Sequence, residues 1–162
     1  QRQLKMVNSL QQTKLLTQTA CADYSNITLH EQACGVRNET LQLFRSEGFT
    51  NKENASSLAS SVVPDNKRAA SDDTVPVTSI NLIEFLQDLI ASHGRIVFLK
   101  IDIEGAELEI LEDMIKTDIF ENIGATVVET HEWLFKDKKP RYRVIETYAK
   151  DNPQANLYLD WI

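Results

Sequence analysis

The chain has 162 residues, 42% hydrophobic and 25% charged, which is the makeup of one globular domain and excludes disorder throughout. Lys and Arg total 17 against 24 Asp and Glu, a net charge of −7 with no Lys/Arg cluster longer than a few residues, which argues against nucleic acid as a partner. No apolar run approaches the roughly 20 residues that a membrane-spanning helix needs, and no signal-like hydrophobic stretch opens the chain.

Cys21 and Cys34 are too few for a disulfide framework or a four-thiolate zinc site. Two half-buried thiols are the simpler reading, a single bridge the other. Asn26-Ile-Thr28, Asn38-Glu-Thr40 and Asn54-Ala-Ser56 are glycosylation sequons that point to a secretory or luminal chain, with a cytoplasmic one as the alternative. The chain opens on Gln1-Arg2-Gln3 inside a helix-like pattern and stops at Trp161-Ile162 on a strand-like run. The expectation is a piece of a longer protein.

Residues 1–20 favour helix, being rich in Gln, Leu and Lys without Gly or Pro. Asn26 to Gln32 reads as a short strand, Gly35 and Asn38 as a turn, and Thr40 to Arg45 as a second strand of period two. Residues 46–73 form a Ser- and Asn-rich loop, either a lid over a ligand or a tolerated surface insertion. Thr74 to Ser79 is a brief strand, with Pro76 suggesting an edge. A helix follows, capped by Asn81, striped with Leu82, Ile83, Leu86, Leu89 and Ile90, and stopped by Gly94. Ile96 to Ile103 is nearly continuous in apolar residues, as in a parallel strand covered on both faces. Helix from Ala106 to about Thr117, strand from Ala125 to Thr130, helix from Arg141 to Lys150 and strand from Leu157 to Trp161 complete the chain. This alternation predicts an α/β fold with right-handed crossovers and a mostly parallel sheet.

In such sheets the ligand crevice lies beyond the carboxyl ends of the strands. Lys100, Asp102 and Glu104 share parity on one strand, and Val127, Glu129 and His131 on another. If the two strands are neighbours, Asp102, Glu129 and His131 converge. Each also has a structural reading: Lys100 can snorkel, Asp102 can cap a turn, and Glu104 and Glu107 can favour a helix dipole. As a set they suit either general acid–base chemistry on a hydroxyl nucleophile or oxygen and nitrogen ligation of a divalent metal. The ligand set is generic, and no metal ligand is assigned. Gly-x-Gly-x-x-Gly, Walker and Gly-x-Ser-x-Gly motifs are all absent from the sequence.

The run Phe98-Leu-Lys-Ile-Asp-Ile-Glu-Gly-Ala-Glu-Leu-Glu-Ile-Leu111 resembles the signature of FkbM-type methyltransferases. Ala33 to Phe44, Asn54-Ala-Ser-Ser-Leu58, Val75-Pro-Val-Thr-Ser-Ile-Asn81 and Val127-Val-Glu-Thr-His131 resemble further family segments in the right order, over about residues 26–132. Asn81 stands where the family usually has Asp. The resemblance implies a Rossmann-like class I fold dependent on S-adenosylmethionine (SAM) and methylating a hydroxyl of a sugar, glycan or other small molecule. In family terms Ala33 and Cys34 lie near the adenine, Asp102 beside the methyl donor, and Glu104, Glu129 and His131 on the acceptor side. His131 or Asp102 is then the base. The family's glycine-rich SAM loop and ribose-binding acid should precede Gln1, so residues 1–162 are expected to be a partial methyltransferase domain, truncated at the N-terminal side. Such a segment is expected to be marginally stable and unable to bind SAM at useful affinity. The alternative is a catalytically silent binding or scaffold module.

Overall fold

The computed structural model describes residues 3–4, 27–46, 60–67 and 69–160. Its strands are β1 (Gln3–Leu4), β2 (Ile27–Thr28), β3 (Ala33–Gly35), β4 (Glu39–Ser46), β5 (Ala69–Asn81), β6 (Leu99–Ile101), β7 (Thr126–Val128) and β8 (Leu157–Tyr158). Its helices are α1 (Leu82–His93), α2 (Glu107–Lys116) and α3 (Lys139–Asp151).

The fold is mixed α/β, as the alternation predicts, but the described strands do not join one sheet. They form a parallel pair β1-β2, a mixed three-stranded sheet ordered β3-β5-β4, and a parallel three-stranded sheet ordered β6-β7-β8. The chain from β6 through α2, β7, α3 and β8 is the βαβαβ unit of the sequence reading. Gln3 and Leu4 are strand where a helix is expected; the rest of residues 1–20 lies outside the described residues, as do Cys21 and the Asn26 and Asn54 acceptors. The strand expected over Asn26 to Gln32 shrinks to Ile27–Thr28.

β5 is much longer than its expected span, running antiparallel to β4 from Asn81's end back to Ala69. It is central in its sheet, against the edge position expected from Pro76. The conflict resolves in the register: β3 pairs with β5 only at Ser79, Ile80 and Asn81, so among the described residues Pro76 has a strand neighbour on the β4 side alone. The loop expected over 46–73 is correspondingly shorter. Part of it is tied down: Ser61 pairs in antiparallel fashion with Phe44, and Ser60, Ser61 and Asn66 are buried.

α1 ends where its local signals place the ends. Asn81 Oδ1 accepts from the N–H groups of Ile83 (3.0 Å) and Glu84 (3.4 Å), and Gly94, at φ 83°, donates back to the Ile90 carbonyl. Glu84 does not reach back to Asn81 as a capping box would. It accepts from Asn38 Nδ2 (2.8 Å), while Asn38 Oδ1 takes the Asn81 N–H (2.8 Å). One amide thus fastens the β3–β4 turn to the head of α1.

The expectation of a strand covered on both faces is corrected at β6. Leu99, Ile101 and Ile103 are buried, whereas Val97 and Phe98 are 59% and 54% exposed and Lys100 and Asp102 face solvent. Among the described residues β6 pairs with β7 alone, and the alternating burial of Leu99, Lys100 and Ile101 shows one face turned to the core and the other to solvent. That inner face joins Leu108, Ile110, Leu111 and Met114 of α2 and Tyr142 and Ile145 of α3 in the main core. Each such side chain contributes about 2 kcal/mol or more on burial.

Candidate functional site

The site is built at the carboxyl ends of β6 and β7. Their parallel register pairs Lys100 with Val127 and Ile101 with Val128, and the Glu129 N–H continues the ladder to the Ile101 carbonyl (2.9 Å). The two strands are neighbours, as the convergence of Asp102, Glu129 and His131 requires. Parity carries only so far. Past Ile101 the chain leaves the sheet, Glu104 takes a left-handed conformation (φ 53°) and Gly105 follows at φ 104°. Glu129 bridges to Asp160 and stays half exposed, while His131, at the start of the turn Glu132–Leu134, is only 3% exposed. Glu129 and His131 therefore do not share a face, although their side chains still meet.

His131 is the hub. Its Nε2 lies 3.6 Å from Glu104 Oε2 and 4.0 Å from Glu129 Oε1, and its Nδ1 lies 3.4 Å from Glu107 Oε1. Burial pulls the imidazole pKa down, but Glu107's hydrogen bond and charge, helped by Glu104 and Glu129, outweigh it and hold the pKa above the ordinary histidine value. Asp102 does not cap the turn; its Oδ2 pairs with Lys100 Nζ at 3.0 Å. Among the described residues, one ligating atom each from Asp102, Glu104 and His131 lie within 4.8 Å of one another.

The residue that sequence reasoning underrates is Glu107. Its side chain is wholly buried at the first turn of α2. Oε2 accepts from the Gly105 N–H (2.7 Å), and Oε1 accepts from the His131 N–H (2.9 Å) and the Tyr142 hydroxyl (2.9 Å). Burial works to raise its pKa, yet the His131 side chain and the backbone donors overcome this and hold it below the usual carboxylate range. A dipole-favouring surface glutamate would need none of these partners. The signal was present in the spacing: Glu107, Ile110, Leu111 and Met114 follow the i, i+3, i+4, i+7 stripe of the buried face.

The loop of residues 60–67 closes the turn from the other side. Ser61 Oγ (2.7 Å) and Asn66 Nδ2 (3.2 Å) both donate to the Glu104 carbonyl. Phe135, fully buried, packs where a Gly105 Cβ would go. The Glu104-Gly105 turn is therefore fixed from both sides, which sets where the Glu104 carboxylate points.

Ala33 and Cys34 are buried in β3. Cys34 lines a cavity of about 260 Å³ whose walls include Gly35, Gly105, Ala106 and the carboxylates Glu39 and Glu109; Ala33 does not. Burial pushes the Cys34 thiol up to about 12.

A family model described as the methyltransferase FkbM domain matches residues 5–157. The chain belongs to the FkbM methyltransferase family. No curated protein and no solved structure matches it. The family match takes in all six predicted site residues, and four of them, Asp102, Glu104, Glu129 and His131, gather at one sheet end. No described helix is long and apolar enough to cross a membrane.

Proposed function

We propose that this chain serves SAM-dependent O-methylation, presenting a hydroxyl of a sugar, glycan or other small metabolite to the methyl donor. One observation carries the reading: in a chain of a methyltransferase family, Asp102, Glu104, Glu129 and the buried His131 meet at the carboxyl end of adjacent parallel strands. A hydroxyl becomes a competent nucleophile when a neighbouring group takes its proton, and alignment supplies much of the remaining rate. Asp102, exposed at the rim, and His131, held from behind by Glu107, are the two groups placed to accept that proton. Glu104 and Glu129 flank them and hydrogen-bond the acceptor.

The described residues do not make a complete SAM site. The cavity beside Cys34, about 260 Å³, is below the roughly 300–1,000 Å³ of sites for molecules of that size. No glycine-rich strand-to-helix turn occurs in the sequence to cradle the amino-acid end. The small walls at Gly35, Gly105 and Ala106 suit the edge of a flat ring, which supports Cys34 as a contact near the adenine. On this reading the chain is the acceptor-side portion of the domain.

Calorimetric titration of SAM tests this on two proteins, residues 1–162 and a longer protein that contains them. Binding by the longer protein alone is the expected result, followed by loss of methyl transfer to hydroxylated acceptors in Asp102→Asn and His131→Gln. Failure of both to bind overturns the reading in favour of a catalytically silent scaffold.

A further inference from the structure

One motif of the sequence has no part in the methyl-transfer reading. Asn38-Glu39-Thr40 is a glycosylation sequon, with no proline at its middle position or directly after Thr40. Of the three sequons it is the one whose acceptor lies among the described residues. Such tripeptides also arise by chance, so placement in the fold decides what this one is worth.

Asn38 closes the bend of residues 36–38 between β3 and β4 and belongs to neither strand. Arg37, Asn38, Glu39 and Thr40 are all exposed, so the acceptor residue and the hydroxyl residue two positions on both reach solvent. A large solvated substituent at such a turn displaces no core side chain. The acceptor amide itself is only half engaged. Its Nδ2 donates to Glu84 Oε2 (2.8 Å) and its Oδ1 accepts from the Asn81 N–H (2.8 Å), and both bonds lie at the exposed surface. An amide nitrogen carries two hydrogens, and among the described residues Glu84 takes one of them. A sugar in place of the other leaves the clip to α1 whole: the remaining N–H still donates to Glu84, and Oδ1 still accepts from Asn81. Two N–H groups spent in buried bonds would have closed the sequon instead.

We propose that Asn38 is an N-glycosylation site, its substituent an oligosaccharide delivered from a lipid-linked pyrophosphate donor. In the transfer, Asn38 Nδ2 forms a bond to C1 of the first sugar as the bond from C1 to the pyrophosphate oxygen breaks. The lipid pyrophosphate leaves with the bonding electron pair, the amide nitrogen gives up one proton, and nothing is oxidised or reduced. The glycan then stands at the head of α1, on the amide that fastens the β3–β4 turn to Asn81 and Glu84. The modification places the chain in a secretory or luminal compartment. It does not depend on the methyl-transfer reading, so either can fail without the other.

Mass spectrometry of the protein isolated from the cells that make it tests this. Peptides are mapped before and after a peptide N-glycosidase has released N-glycans in heavy-oxygen water, which turns each former glycan site into a labelled Asp. The Asn38 peptide is expected to lose a glycan mass and gain the label. Thr40→Ala, made in the same cells, abolishes modification of Asn38, and Thr40→Ser retains it. Thr40 is an exposed residue of β4, and circular dichroism establishes that both variants keep the fold. An unmodified Asn38 peptide from the parent overturns the proposal, whether or not Asn26 and Asn54 carry glycans. Modification of Asn38 that survives Thr40→Ala overturns it too.

Discussion

Gly105 and Glu107 show how single residues fix the turn on which the site depends. Gly105 adopts φ 104°, and a Cβ there would stand 2.3 Å from Cε2 of the buried Phe135. Gly105→Ala therefore combines backbone strain with a steric clash and is expected to cost about 2–4 kcal/mol. Thermal denaturation measures it, and a melting temperature within a degree of the parent's would mean that Phe135 yields freely. Glu107→Gln keeps the shape but puts an amide nitrogen among three donors, so at least one buried N–H or O–H is left unpaired. A loss of about 2–3 kcal/mol is expected, read from urea midpoints at constant slope; an unchanged midpoint would show the network to be dispensable. Both residues sit in the run that carries the family resemblance, yet only part of their meaning was legible. Asp102, Glu104 and His131 could be found from residue type and strand parity. Glu107 looked like a surface acid because its partners, His131 and Tyr142, are 24 and 35 positions away.

At the scale of elements, local chemistry was the readable part. The ends of α1 follow from Asn81 and Gly94 alone, because a cap bonds to residues two or three positions on. Asn81→Ala is expected to cost about 1 kcal/mol, with a matching drop in melting temperature. The packing of α2 on α3 is a different matter. Arg141 holds Glu112 with two hydrogen bonds, Nε to Oε1 at 2.8 Å and Nη2 to Oε2 at 2.6 Å, across 29 positions of sequence. The Arg141 side chain beside it holds the Glu112 carboxyl below the usual carboxylate range. A carboxylate depressed in the folded state stabilises the fold fully above its unfolded value, near 4.3, and loses that contribution as pH falls through its folded value. Glu112→Gln should thus be less stable than the parent at neutral pH, by about 0.5–1 kcal/mol for so exposed a pair, and equally stable in acid. A stability gap that persists below the carboxylate range would assign the effect to packing. The segment from Ile96 to Ile103 was misjudged for a related reason: Val97 and Phe98 are apolar by type but exposed by position, and apolar composition does not say which faces are covered.

For the whole molecule, sheet assembly was the part beyond reach of periodicity, since strand spacing says which segments are extended and not which ones pair. The alternation of strands and helices from β5 to β8 was correctly anticipated, whereas the division into three sheets rests on long-range pairing. Cys34 offers a test of how these parts hold together. It belongs to β3, in the mixed sheet, yet it is buried in the core that includes Ile101 of β6 and Leu108 of α2. Burial raises its thiol to about 12, so the reactive thiolate is scarce at neutral pH, and alkylation of the buried group requires opening. In a Cys21→Ser background, iodoacetamide should therefore modify Cys34 only over the urea range in which the far-ultraviolet circular dichroism is lost. Coincident transitions would establish that the mixed sheet and the βαβαβ unit unfold together. Alkylation that precedes the loss of helical signal would show that the mixed sheet detaches first. The Ser61 and Asn66 bonds to the Glu104 carbonyl would then break while β6, β7 and His131 stay folded, and the site would lose one wall before it lost its fold.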